Sequence, residues 1–390
     1  MSQRTTLFWF FASFIVLGIS GTLLGPTLDS LTTRFGMPLE NGGIFITLHS
    51  TGATISLFAI GKLFESGRWQ PRFVLSIGPV LLGVGALLMA TTQIQIIALA
   101  GALIYGLGFG SVLTGPTVFI AAINPGQSAG KLNALNMFYG VGAIIGPQIV
   151  NAAFSLDNFL LAYFFTGTAA LVFIIPFLQV DAPASQVARA TRKDDAAHVP
   201  VNWWLFAPFG LLLFIYVGAE VGFGAWLSTQ MMEGVGSTER VATIAVSLFW
   251  LGLTGGRGCA IVLSRSLRPA HILLISVSII TGGAALLLYA TFSEGLALLS
   301  AFAVGVGCGP MFPTILATVN DNYPEQFVSV SGTLLAIGNA GAVLFPWIQG
   351  KVGAGNDGGI IVTFTLGVLM IAIMVAILRQ LNQTTRPAPA

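Results

Sequence analysis

Hydrophobic positions in this chain run unbroken for about twenty residues at a time, with polar residues gathered in the short breaks between runs. A run of that length matches a helix crossing a bilayer, because a helix rises ~1.5 Å per residue and the hydrocarbon layer is ~30 Å thick. Hydrocarbon offers the backbone no hydrogen-bond partner, so each segment has to satisfy its own N–H and C=O groups, which selects the helix. Twelve spans are predicted: 7–28, 42–63, 73–91, 96–121, 133–153, 159–179, 203–227, 241–263, 270–291, 296–319, 328–349 and 359–378. One break is long and polar, "VDAPASQVARATRKDDAAHVPVN", and it divides the spans six plus six. The expected organisation is an N-terminal six-helix bundle over 1–180, a cytoplasmic linker over 181–202 and a C-terminal six-helix bundle over 203–390. The fold class is an all-α polytopic membrane protein.

Composition agrees. Of 390 residues, 55% are hydrophobic and 8% charged, against roughly 25% charged in soluble domains. Mean hydropathy is +0.88. A net charge of +2 provides no basic field for nucleic acid. Cys259 and Cys308 lie in apolar runs and are expected to be buried thiols, without metal-ligand spacing or a disulfide framework. The opening "MSQRTTLFWFFASF" enters the first run without a small-residue cleavage site, so it reads as a retained helix. With a cytoplasmic N-terminus, twelve Lys and Arg fall inside and only Arg34, Arg240 and Lys351 outside, while Arg257 lies within a span. That bias places both termini in the cytoplasm; the expected location is a cell membrane, of the prokaryotic inner or plasma type.

The two halves align without a gap at an offset of 199. "GLGFG" at 106–110 matches "GVGCG" at 305–309, Pro125 matches Pro324, Gly142 matches Gly341 and Pro147 matches Pro346. Spans 4 and 5 therefore read as copies of spans 10 and 11, and such repeats characterise secondary transporters with a site near the midplane. "GLGFG" follows no strand, so close helix packing explains it better than a nucleotide loop.

On these features the whole chain resembles the major facilitator superfamily. The segment "GKLFESGRWQPR" (61–72) is similar to its cytoplasmic loop motif in Gly61, Leu63, Gly67 and Arg68; Glu65 stands in for Asp, and one residue is missing before Gly67. The resemblance implies a gating latch using Gly61, Glu65 and Arg68. "LGPTLDSL" (24–31), "YVGAEVGFGAWLS" (216–228), "FWLGLTGGR" (249–257) and "MFPTILA" (311–317) resemble the fucose–proton symporter family, closest to its sodium-dependent glucose transporter-like branch. That implies a monomer in the bilayer that carries a sugar or similar polar solute by alternating access with H+ or Na+ and has no other cofactor. It also implies a cavity lined by spans 1, 4, 5, 7, 10 and 11, helped by 2 and 8. One departure stands out: the carboxylates that the fucose symporter uses in spans 1 and 4 are absent, and span 4 offers Ser111 and Thr114.

Ionisable groups at membrane depth are costly and mark function. Glu220, His49 and Asp29 are the candidates for ion coupling. Glu220 lies fourteen residues past Phe206, ~21 Å along its helix, flanked by Gly218, Gly222 and Gly224 where the helix is expected to bend or unwind. Arg257 lies sixteen residues into span 8, ~24 Å down the opposite way. The count puts the two at different heights and favours a gating role for Arg257 over an ion pair. Sugar recognition needs amides, hydroxyls and aromatic faces. Its candidates are Asn133, Asn136, Tyr139, Gln148, Tyr216, Trp226, Trp250 and Asn339. An efflux antiporter for amphipathic compounds is the alternative, kept open by 29 phenylalanines. A membrane-embedded enzyme lacks clustered catalytic groups.

Overall fold

The structure is a computed structural model that describes residues 1–123, 129–191, 201–353 and 358–384. The chain forms two compact units, Met1–Asp194 and Asp195–Ala390. The first contains α1 (Gln3–Gly21), α2 (Leu28–Arg34), α3 (Gly43–Ser66), α4 (Pro71–Thr91), α5 (Gln95–Ile123), α6 (Ala129–Phe154), α7 (Leu160–Val172), α8 (Ile174–Leu178) and α9 (Ala184–Thr191). The second contains α10 (Trp203–Glu233), α11 (Glu239–Leu263), α12 (Pro269–Tyr289), α13 (Glu294–Asn322), α14 (Pro324–Gly353) and α15 (Gly358–Thr384). Among the described residues twelve helical stretches are long and apolar enough to cross a membrane, so this is a multi-pass membrane protein.

Each unit pairs its helices the same way. In the first, α5 packs on α3 and α4, α1 on α6 and α4 on α7; in the second, α13 packs on α11 and α12, α10 on α14 and α12 on α15. Glycines allow the crossings. Gly106 lies against the His49 backbone and Gly305 against that of Phe249; Gly142 meets the Ile15 carbonyl and Gly341 that of Phe214. A side chain at any of these positions would strike backbone. The repeat seen in sequence holds in space at offset 199 for α5, α6 and α1, but not without a gap: α3 pairs at offset 200, since His49 and Ala53 answer to Phe249 and Leu253. Pro125 lies outside the described residues.

Three expectations need correction, and the linker proves to be partly helical. Span 1 is not continuous to residue 28: α1 ends at Gly21, and a buried turn over residues 22–27 leads into α2. Pro26 has no N–H for the Thr22 carbonyl, so the ladder stops, and the Thr27 hydroxyl ties the turn to the Leu23 carbonyl at 2.8 Å and to the Tyr163 hydroxyl at 2.6 Å. Span 6 likewise breaks at Phe173, because Pro176 gives no donor to the Val172 carbonyl. The polar linker also contains a helix, α9, which buries Val187 and Ala188 and packs on α3 and α5. Its Ala188 methyl lies 3.1 Å from where a Cβ on Gly67 would sit, and Gly67 closes α3 with φ of 63°. Finally, Cys308 is buried but Cys259 is exposed. Lipid is as apolar as a packed interior, so an apolar run does not tell one helix face from the other.

Candidate functional site

In the second unit the chemistry gathers where α10, α11 and α13 meet. Glu220 sits within α10, which stays helical through all three neighbouring glycines. These serve close approach instead of unwinding: Gly218 faces the Gly341 carbonyl and Phe345, Gly222 faces the Gln349 amide and Gly224 faces the Phe249 ring. Tyr216, one turn before Glu220, points along the same helix face. Its hydroxyl is hydrogen-bonded to the Glu220 carboxylate and also lies 3.1 Å from the Cys308 carbonyl on α13. Tyr216 is fully buried and Glu220 half-buried.

Arg257 is closer to this pair than its position along the helix suggested. Its charge acts on both Tyr216 and Glu220, with no N···O contact to Glu220 within 4.0 Å. Gly309, next to Cys308, rests on the Arg257 backbone N–H, where an added Cβ would come within 2.8 Å. One turn of α13 therefore touches Tyr216 on one side and Arg257 on the other. The axial count holds in that no ion pair forms, and the two charges come within each other's field because side chains lean toward their helix N-terminus. Helices α10 and α11 run antiparallel, so Glu220 and Arg257 lean toward each other.

In the first unit His49 is buried with Nε2 unpartnered, its ring 5.4 Å from Tyr105 and 5.1 Å from Phe109. The Tyr105 hydroxyl donates to the Ser20 carbonyl at 3.0 Å. Tyr139 meets Phe109 edge-on at 6.4 Å, and its hydroxyl approaches Gly21. The structure thus brings His49, Tyr105, Phe109 and Tyr139 together around the end of α1. Ser111 is spent on the Leu107 carbonyl and Ser56, while Thr114 Oγ1 is buried and unpartnered.

The other candidates are scattered. Asn136 and Asn339 each return an amide N–H to their own helix, to the Leu132 and Leu335 carbonyls at 3.1 Å. Asn133 lies on α6 and its side chain is outside the described residues. Gln148 is exposed. The Trp226 indole N–H is taken by the Pro346 carbonyl at 2.9 Å, tying α10 to α14. Trp250 is half-buried against Phe249. Asp29 is exposed in the first turn of α2. Glu65 and Arg68 are both exposed and make no ion pair with each other, and nothing lies within 4 Å of a Cβ at Gly61. Sequence reasoning missed the Cys308 carbonyl and the Tyr105–Ser20 contact, both of which join helices distant in the chain. The spacing of Tyr216 four residues before Glu220 was the one visible signal.

A family model described as the Major Facilitator Superfamily matches residues 10–346. The glucose/mannose transporter GlcP of Bacillus subtilis (strain 168) is 22% identical over 402 residues, covering 99% of this chain and 97% of that protein. The human sodium-dependent glucose transporter 1 is 24% identical over 404 residues, covering 86% of this chain and 77% of that protein. Among solved structures, that of the nucleoside transporter NupG has a TM-score of 0.74 at 15% identity, covering 96% of this chain and 98% of that one. This last likeness is one of fold.

Proposed function

Because this chain belongs to the Major Facilitator Superfamily, a family of transport proteins, we propose that it carries a sugar or similar small polar solute across the membrane by alternating access, driven by a proton or sodium gradient. The observation that carries the sugar assignment is the end-to-end similarity to a protein named as a glucose/mannose transporter. Coupling rests on Glu220, the one carboxylate well inside the described spans, held by Tyr216 and within the field of Arg257. A charge kept at such depth needs a return for its cost, and ion coupling provides it. Contact with solute is assigned first to the cluster of His49, Tyr105, Phe109 and Tyr139, whose rings and polar atoms suit sugar C–H faces and hydroxyls. We also place both termini in the cytoplasm, the chain in a cell membrane, and the working unit at one copy. The efflux alternative gains no support from the relatives.

The test is solute flux with purified protein in liposomes. Labelled D-glucose or D-mannose should exchange against internal unlabelled sugar, and an imposed proton or sodium gradient should drive accumulation. Exchange of neither sugar, with uptake of lipophilic cations instead, would overturn the reading.

A further inference from the structure

The Tyr216 hydroxyl has one proton and two oxygen neighbours, the Glu220 carboxyl on its own helix and the Cys308 carbonyl on α13. A carbonyl only accepts. A carboxyl accepts when ionised and can donate when protonated. One proton cannot serve both neighbours, so the arrangement depends on Glu220. When Glu220 is ionised, Tyr216 donates to it and the bond stays within α10. When Glu220 is protonated, its O–H donates to the Tyr216 oxygen, which releases the Tyr216 proton to the Cys308 carbonyl and ties α10 to α13. From this count, and resting on the transport reading above, we propose that Glu220, Tyr216 and the Cys308 carbonyl form the proton site of this transporter, with Tyr216 the positioning residue that turns proton binding into a helix-to-helix latch. The proton comes to Glu220 from water and returns to water; no other covalent bond forms or breaks.

Three features support this assignment. The groups facing Glu220 are Tyr216 on α10, the Cys308 thiol on α13 and Arg257 on α11. On α14 the nearest side chains to its flanking glycines are Phe345 and Gln349, neither charged, and no titratable group faces it from α15 among the described residues. Arg257 opposes a sodium ion and a proton at this position alike, since each brings one positive charge; the proton differs in leaving an O–H that Tyr216 can accept. The latch also closes on the stretch of α13 that holds Pro310 and Pro313, where the missing N–H groups leave the helix easiest to bend. Among the described residues the first unit has no such latch: at the repeat's register Gly21 and Phe109 stand where the second has Glu220 and Cys308.

Infrared difference spectra between acid and alkaline pH, taken on the full chain in liposomes without sugar, test the site directly. The wild type should show a carboxylic C=O band that Glu220→Gln removes and that Tyr216→Phe moves to higher frequency, because the acid loses its acceptor. In flux assays Tyr216→Phe should lower the ratio of proton-driven accumulation to glucose exchange about tenfold, the worth of one hydrogen bond to a charged group. Where Tyr216→Phe fails to fold, Glu220→Asp, one methylene too short to reach Tyr216, replaces it in the flux assay with the same expected loss. A band unmoved by Tyr216→Phe, or no band that depends on Glu220, overturns the proposal, as does full proton-driven accumulation in the variant. If wild-type protein exchanges no sugar, the transport reading fails, and the infrared bands still decide the proton site.

Discussion

Gly106→Ala tests whether the glycine crossings hold these units together. A Cβ at Gly106 would fall 2.7 Å from the His49 Cα and 2.6 Å from its carbonyl carbon. Ordinary contact between carbons is ~3.5–4.0 Å, so α3 has to retreat from α5 by about 1 Å. The obstacle is backbone, which cannot rotate away, and the His49 carbonyl oxygen lies nearer still, so the overpacking falls at the upper end of its usual range, about 2–3 kcal/mol. Alanine returns up to about 1 kcal/mol as the better helix former, leaving a net loss of about 1–2 kcal/mol. Gly61→Ala is the control: nothing lies within 4 Å of its Cβ, so only the helix term remains and the variant gains up to about 1 kcal/mol. At roughly 2 °C per kcal/mol for a long chain, Gly106→Ala should melt about 2–4 °C below wild type and Gly61→Ala about 2 °C above it. Thermal unfolding in detergent, followed by size-exclusion fluorescence, reads both shifts. A Gly106→Ala protein that melts at or above wild type, or two shifts of the same sign, would refute the reasoning.

A membrane-permeant maleimide should add once to the folded protein, at exposed Cys259 and not at buried Cys308; mass spectrometry of wild type and Cys259→Ser checks this, and two fast adducts would contradict the burial. Trp226→Phe should lose about 0.6–1.7 kcal/mol of stability with its bond to Pro346 while the KM for glucose exchange stays unchanged; a tenfold rise in KM would instead place Trp226 on the solute. Tyr105→Phe strands the Ser20 carbonyl in the last turn of α1 and should cost about 1–2 kcal/mol, whereas Tyr163→Phe leaves the Thr27 hydroxyl donating to Leu23 and should cost under about 0.5 kcal/mol. Melting temperatures in the reverse order would show that this ranking is wrong.

The membrane fold was legible in the sequence because hydrophobic run length is a direct measure of span, and the repeat was legible because its glycines are fixed by backbone contact. The breaks after Gly21 and at Phe173 were hidden: Pro26 and Pro176 sit in runs whose hydropathy does not register a missing N–H. Helix α9 was hidden for the opposite reason, since a short amphipathic helix looks like a polar linker until its partner surface is known. At the site, Glu220 stood out by charge alone. What it touches did not, because the approach of Arg257 depends on the directions in which side chains lean, and the Cys308 contact is made by a carbonyl that every residue has.

At the register of the repeat the acid stands in only one half, Glu220 against Gly21, and under the proposed coupling this sets a limit on concentrating power. With one such carboxylate among the described spans, the proposed coupling moves one elementary charge per cycle. A total driving force of about 180 mV is then worth ~4 kcal/mol for each solute carried. That corresponds to an accumulation of about a thousandfold and no more, however tightly the solute binds. A second acid in the first half would square the limit, and each cycle would then require a second proton.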